Sequence, residues 1–200
     1  MRVHWAAREL GLDYESQLIG SRTGATQTEE FLALNPKSKI PVLVHDEFVL
    51  TESAAIICYL DQQAGPAAQT RLFPEEPLLQ ARYQEWQSQI LMELDAQALY
   101  VMRKHGDLAH IYGEAPGAID AAKHYFDFQI QIPTRKLAAT PYLLGETFSG
   151  VDILLTTCLD WAAAYELPLA EPLRAYLERM HARSAYISAK QHNFSISAGA

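Results

Sequence analysis

The sequence is nearly without cysteine and has no excess of positive charge. Two cysteines stand in 200 residues, and both Cys58 and Cys158 fall inside apolar patterns of helical spacing, which predicts buried free thiols rather than a disulfide or a nucleophile. Lys and Arg number 16 against 24 Asp and Glu, a net charge of -8, so the basic surface that nucleic acid requires is lacking. No apolar run is as long as a membrane-crossing helix, and the first residues do not read as a signal peptide. Together these absences predict a cytoplasmic protein with neither membrane nor nucleic acid as partner. The seven histidines lack ligand spacing: His105 and His110 flank a glycine, and no cysteine or carboxylate cluster completes a site, so no metal is expected. What remains is an ordinary globular composition, 49% hydrophobic, enough for one large domain or two small ones.

The chemical information is concentrated in NPKSKIPVLVHDEFVLTES, from Asn35 to Ser53. Ile40 to Val44 has the β-branched character of a buried strand, interrupted by Pro41. Proline cannot donate to a ladder, so Pro41 should begin the strand and leave the backbone of Ile40 open to something outside the sheet. Asp46-Glu47 separates two apolar segments at hairpin spacing. After Phe48 to Leu50 comes Thr51-Glu52-Ser53, and Ala54 to Leu60 reads as a helix with Ser53 as its N-cap. A helix N-terminus with a hydroxyl attracts a carboxylate, and Glu52 beside it prefers an ammonium. With an open strand edge at Ile40, the combination suits a short extended peptide ending in a free amino-acid head group. The alternative is that Ser53 only caps its helix and Glu52 is a solvated loop residue.

N-P-x-x-K-I-P-V-L, a short hairpin and T-E-S-x-A-I resemble the glutathione-binding half of the cytosolic glutathione transferases. The resemblance implies a cis proline at Pro41, backbone pairing of Ile40 with the cysteinyl part of glutathione, Glu52 and Ser53 on its γ-glutamyl end, and Lys39 near the glycyl carboxylate. It extends along the chain. Val3, Ala6, Ala7 and Leu10 repeat at helical spacing and Gly11 follows as a C-cap, predicting a helix over residues 2 to 10 with a stop signal but no start signal. R-V-x-W-A-x-R-E-L-G-L-x-Y-E resembles the family's first helix and the strand after it. In the family a strand and a loop bearing the activating Ser, Tyr or Cys come earlier. The resemblance therefore implies a longer protein in which that segment precedes Met1; the alternative is a short form in which another segment or chain fills the gap. In either case Tyr14 to Ile19 is a strand wanting a partner, and no catalytic residue is assigned within these 200 residues.

Further along, Gly20 to Thr28 is a loop and Glu29 to Leu34 a short helix ended by Asn35-Pro36. QAGPAAQTRLFPEEP, from Gln63 to Pro77, is an interdomain linker. Leu79, Tyr83, Trp86, Ile90 and Leu94 form the stripe of a long helix reaching about Lys104. In the family this helix lies on the dimer axis and walls the electrophile pocket, which makes Tyr100, Arg103 and His105 pocket candidates; the alternative is solvent-facing polar side chains. A helix over 118 to 139 should kink at Pro133. Ser149 and Asp152 are spaced as a capping box, with Phe148 and Ile153 at the staple positions, ahead of a core helix over 150 to 165. Leu173 to His181 makes another helix, and Asn193 to Ala200 should fray.

The resulting expectation is an α/β thioredoxin-like domain over 1–63, lacking its first strand, a linker over 64–76 and an all-helical domain over 77–200. By resemblance, its reaction is attack of the glutathione sulfur on a small hydrophobic electrophile, its cosubstrate glutathione, and its assembly a homodimer. A non-catalytic scaffold of the same fold competes with that reading, as does a related glutathione-dependent dehalogenase, isomerase or thiol transferase.

Overall fold

The structure, a computed structural model, describes residues 1–20, 23–65, 68 and 70–195. Ser21 and Arg22 of the first loop, Pro66, Ala67 and Gln69 of the expected linker, and residues 196–200 of the tail expected to fray lie outside the described residues. The chain divides into two compact units, Met1–Leu72 with Ser184–Ala200, and Phe73–Arg183.

The first unit opens on α1, Arg2–Glu9, which buries Trp5, Ala6 and Ala7. Gly11 ends it at φ 66°: its N–H reaches the Arg8 carbonyl at 3.3 Å, and Leu12 N–H reaches that of Ala7 at 3.0 Å. These are the two bonds of a Schellman motif, for which a glycine at positive φ is the cheapest residue. Residues 14–19, expected as a strand, pair with no ladder among the described residues. A strand is held by its partner's backbone; here Tyr14 instead hydrogen-bonds His4 Nδ1 through its hydroxyl at 2.9 Å. Next come a 3-10 turn, Ala25–Gln27, and α2, Glu29–Leu34, whose first turn is capped by the Thr28 hydroxyl accepting Phe31 N–H at 3.3 Å.

β1, Val42–His45, and β2, Phe48–Thr51, form an antiparallel pair, the one sheet among the described residues, in the register Val42 to Thr51 and His45 to Phe48. Asp46 turns between them at φ 54°. α3, Ser53–Ala64, buries Ala54, Ile56, Ile57 and Asp61. Asp61 ties down the later part of the connection that follows: its carboxylate accepts from the Arg71 guanidinium at 2.9 and 3.1 Å and from Leu72 N–H. The C-terminal helix α11, Ser184–Ser195, packs against α1, with the Tyr186 and Trp5 rings edge to face at 4.9 Å. The contacts thus group residues placed with the helical domain from sequence with the first unit, because α11 packs on α1 and buries Tyr186 against Trp5.

The second unit is helical. Pro77 opens α4, Pro77–Gln89, and the Glu76 carboxylate accepts Leu78 and Leu79 N–H at 2.9 and 2.8 Å. The rod continues as expected to His105, but through a π-helical stretch, Ile90–Leu99, into α5, Tyr100–His105. Buried Leu94 and Leu99 are five apart, the spacing that i→i+5 winding brings to one side. After α6, Ala109–Tyr112, come α7, Pro116–Gln129, and α8, Gln131–Leu137. The single kinked helix expected over 118–139 is therefore two helices. The break falls at Ile130, ahead of Pro133, whose missing N–H leaves the preceding turn unpaired; the Thr134 hydroxyl and N–H both return to the Ile130 carbonyl, at 2.7 and 3.1 Å.

α9, Gly150–Ala164, is buried continuously from Gly150 to Thr156, and α10, Glu171–His181, follows it. A capping box joins Ser149 and Asp152 at the start of α9. The Asp152 carboxylate accepts the Ser149 N–H at 2.9 Å, the Ser149 hydroxyl at 3.0 Å, Leu143 N–H at 3.0 Å and the Tyr176 hydroxyl at 3.1 Å. Burial raises its pKa to about 6 against the opposing pull of those donors. Phe148 and Ile153 are buried beside it. Of the two thiols, Cys158 is buried and Cys58 half-buried.

Candidate functional site

The hairpin register decides which residues meet. Val42, the first residue of β1, pairs with Thr51, the last of β2, so Ile40 and Pro41 on one strand and Glu52 and Ser53 on the other emerge at the same end. The approach to β1 is a turn held by Asn35, which is buried: its amide donates to the Lys39 carbonyl at 2.6 Å, and its side-chain oxygen accepts Lys37 N–H at 3.1 Å. Ser38 sits in that turn at φ 59°, and Ser38 N–H returns to the Asn35 carbonyl at 2.9 Å. The Ile40–Pro41 peptide is cis. Ile40 is 48% exposed, an unusual position for an isoleucine at the mouth of a strand.

On the other strand Glu52, not Ser53, is the N-cap of α3, and no side chain caps the helix. The expected assignment shifts by one residue because a cap stands outside helical φ and ψ: Glu52 has φ 69° and ψ 115°, while Ser53 is already helical. A non-glycine residue in that region costs of order 1–3 kcal/mol and persists where surrounding structure or function holds it. Its consequence is geometric. The exposed Glu52 carboxylate, the Ser53 hydroxyl and the unpaired amides of the first turn of α3 are brought into succession at one helix end. Such an end offers donors and a positive dipole to an anion, next to an acceptor for a cation.

Lys37 is the residue that sequence reasoning missed. Its Nζ lies 2.6 Å from Glu52 Oε1 and 3.3 Å from the Thr51 hydroxyl, bridging the two strands' ends in an exposed ion pair. Lys39, the expected cation, is exposed and contributes its carbonyl to the Asn35 turn. The only sequence signal for this arrangement was Asn35-Pro36 at a helix stop, which marks a turn without saying which lysine it aims.

The remaining candidates lie on α5 in the second unit. Tyr100 is half-buried with Lys104 Nζ 5.2 Å from its ring centroid. The Arg103 guanidinium carbon is 5.7 Å from the ring centroid of Trp161. His105 Nδ1–H donates to the Gly113 carbonyl at 2.9 Å, which ties the end of α5 to the turn ahead of α7. Among the described residues no group of three or more His, Cys, Asp or Glu could hold a metal ion, and no helix is long and apolar enough to cross a membrane.

Comparison with known proteins adds a family context. Residues 1–63 match the family model of the glutathione S-transferase N-terminal domain. Glutathione S-transferase GstB of Escherichia coli (strain K12) is 32% identical over 161 residues, covering 77% of this chain and 73% of that protein. Glutathione S-transferase 1 of Dianthus caryophyllus is 42% identical over 78 residues, 39% of this chain and 31% of the relative. Among solved structures, the theta class glutathione S-transferase of the citrus canker pathogen Xanthomonas axonopodis pv. citri, with glutathione bound, superposes with a TM-score of 0.78 at 28% identity, covering 94% of this chain and 89% of that one.

Proposed function

The chain belongs to the glutathione S-transferase family, and from that premise we propose that it binds glutathione at the end of the hairpin and joins the glutathione sulfur to small, largely apolar electrophiles. The carrying observation is Glu52, a non-glycine residue held at φ 69° directly ahead of an uncapped helix. In this reading the tripeptide lies extended along Ile40, whose backbone pairs with it as an added strand beside Pro41. The γ-glutamyl carboxylate takes the Ser53 hydroxyl and the first amides of α3, and its ammonium takes Glu52. Lys39 receives the glycyl carboxylate. The Lys37 ammonium now beside Glu52 is exchanged for that of the ligand, a replacement of like by like that costs little because an exposed pair is worth about 0–1 kcal/mol.

Holding the tripeptide serves one chemical end, keeping its thiol near neutral pH as the thiolate that attacks carbon. No residue of this sequence is assigned the role of stabilising that thiolate. Residues 1–63 form the glutathione-binding domain in this reading, 64–76 the link, and the chain from 77 on the helical domain, apart from α11, which groups with the first unit; Tyr100, Arg103 and His105 face the electrophile. A homodimer acting in the cytoplasm completes it.

Thermal unfolding of the chain with and without glutathione tests the binding. At a ligand concentration about a hundred times the dissociation constant, a site present only in the folded form adds about 2.7 kcal/mol. For a chain of this length that raises the midpoint by about 5 to 11 °C. Glu52→Gln and Ser53→Ala should each remove most of the shift. A cooperative transition that glutathione leaves in place overturns the reading.

A further inference from the structure

α11 comes to the first unit from the far end of the chain, and two kinds of contact fasten it to α1. One is apolar, the Tyr186 ring edge to face on that of Trp5 at 4.9 Å. The other is a cluster of polar groups further along the seam. His192, in the last turn of α11, meets His4 with ring centroids 4.5 Å apart at 60°, and Asn193 Oδ1 accepts from the Met1 ammonium at 2.7 Å. Trp5, His4 and Met1 descend along α1 as Tyr186, His192 and Asn193 ascend along α11, so the two helices run antiparallel and the histidine pair lies toward the end of the seam.

A pair of this kind is stable while its rings are neutral. His4 stands in the first turn of α1, where the helix dipole opposes a cation. Both histidines are half-buried. The charges acting on His4 are positive: Arg8 one turn on along α1, the Met1 ammonium, and His192 from α11 once that ring takes a proton. From the segment after α1, Tyr14 places its hydroxyl 2.9 Å from His4 Nδ1 and its ring 6.3 Å from that of His192, bringing no charge, while the Arg8 guanidinium carbon lies 5.8 Å from the same ring. On α11, Lys190 adds a cation over the Tyr186 ring at 5.6 Å. The acids of α1 and α3 are engaged: Glu9 accepts from Trp5 Nε1 at 2.8 Å, and Asp61 accepts from Arg71 and the Leu72 amide. Burial first, and these like charges second, lower His4 to about 4. Among the described residues no carboxylate acts on His4 to offset a proton that arrives there.

We propose that the His4–His192 pair is an acid-released latch: protonation of both rings drives them apart and undocks the end of α11 from α1, while the rest of each unit stays folded. The device is independent of the transferase reading. Once undocked, His4 titrates near 6.5, so the ratio of docked to undocked α11 is constant above that pH and falls as pH drops toward 4. Between pH 7 and pH 5 the fall is about 20-fold. A helix of 12 residues that has lost its support is marginal in water, so undocking also exposes its backbone amides to exchange.

Hydrogen exchange of the full chain at pH 7 and pH 5, read by mass spectrometry and corrected for the intrinsic rate at each pH, tests the latch. Peptides from α11 should lose about 20-fold of their protection at pH 5 while those from α3 and α9 keep theirs. His4→Gln, which stays neutral, should remove most of that loss and leave α11 protected at pH 7, and His192→Gln should reduce it. His4→Lys, charged at both values, should show at pH 7 the exchange that the wild type shows at pH 5. Equal protection of α11 at the two pH values in the wild-type chain overturns the proposal without need of any variant. So does a loss that persists when both histidines are replaced by glutamine, and so does a loss shared equally by α3 and α9, which is acid unfolding of the whole chain.

Discussion

Replacing Asp152 by alanine removes the acceptor on which the Leu143 and Ser149 amides and the Ser149 and Tyr176 hydroxyls converge inside the second unit. The hydroxyls can turn elsewhere: that of Tyr176 already lies 3.2 Å from the Asp152 carbonyl and 3.4 Å from Thr156 Oγ1. The two amides cannot, and each buried donor left without an acceptor costs about 1–3 kcal/mol. With the small cavity added, the loss should be about 3–5 kcal/mol, or a fall in midpoint of about 6–20 °C for a chain this long. Asp152→Asn keeps the volume, but Leu143 N–H uses one carboxylate oxygen and Ser149 N–H the other, so one amide is left facing an NH2 group and the variant should cost about 1–3 kcal/mol. It also removes a proton site. In the folded chain the carboxyl titrates at about 6 rather than 3.8, burial being the main cause. Between those values the folded state binds a proton that the unfolded state has released, so stability falls as pH rises from about 4 to about 6, by about 3 kcal/mol in all. Denaturant unfolding of the wild type and both variants between pH 4 and 7 measures each quantity. An alanine variant that loses less than about 1 kcal/mol at pH 7 refutes the network account, and a wild-type-minus-Asn difference flat across that range refutes the raised pKa.

Glu52→Gly should leave stability unchanged or raise it by up to about 2 kcal/mol, since glycine accepts φ 69° at only its own entropic cost; glutathione affinity should fall at the same time, and a loss of stability would count against backbone strain at this position. Asp61→Ala removes the carboxylate that accepts from Arg71 and from the buried Leu72 amide and should destabilise the first unit by about 1–3 kcal/mol, read by chemical denaturation. His4 is lowered to about 4, by burial first and neighbouring positive charges second. Below 6.5 the unfolded chain takes a proton that the folded chain refuses, so this stability is complete above pH 6.5 and lost as pH falls to about 4; His4→Gln should flatten that limb, the reverse of the slope from Asp152.

Much of the fold is legible in local chemistry. Gly11 after a helical repeat, Asp46-Glu47 between apolar runs, and Ser149 followed by Asp152 each announce a structure that needs only neighbours in sequence, and each forms. The misreadings arise where the deciding partner is distant. The spacing from Leu79 to Leu94 is as compatible with α winding as with the π stretch that begins at Ile90, because the two differ by one residue per turn and the choice rests on packing. Pro133 signals a break, but it falls at Ile130, since the turn disturbed is the one before the proline. Residues 14–19 carry strand composition, yet strand identity is a property of a pair, and no described segment pairs with them. The place of α11 beside α1 rests on Tyr186 meeting Trp5 across almost the whole chain length, which no local pattern can announce.

The candidate site divides along the same line. Its location is written in the sequence, because a strand-initial proline and a two-residue turn fix where both strands end. Its wiring is not. Lys37 and Lys39 are indistinguishable as letters, and only the Asn35 turn, with Ser38 at φ 59°, sends the first toward Glu52. Glu52 and Ser53 exchange the role of cap because a backbone angle decides it. The hairpin therefore does more than reverse the chain. Side chains alternate with period two, so a slip of one residue in the Val42 to Thr51 register would turn Glu52 to the opposite face and part it from Ile40 and Pro41. Asp46 at φ 54° holds the turn at the length that forbids that slip, and the geometry available to a ligand at the far end of the hairpin is set by the residues at its tip.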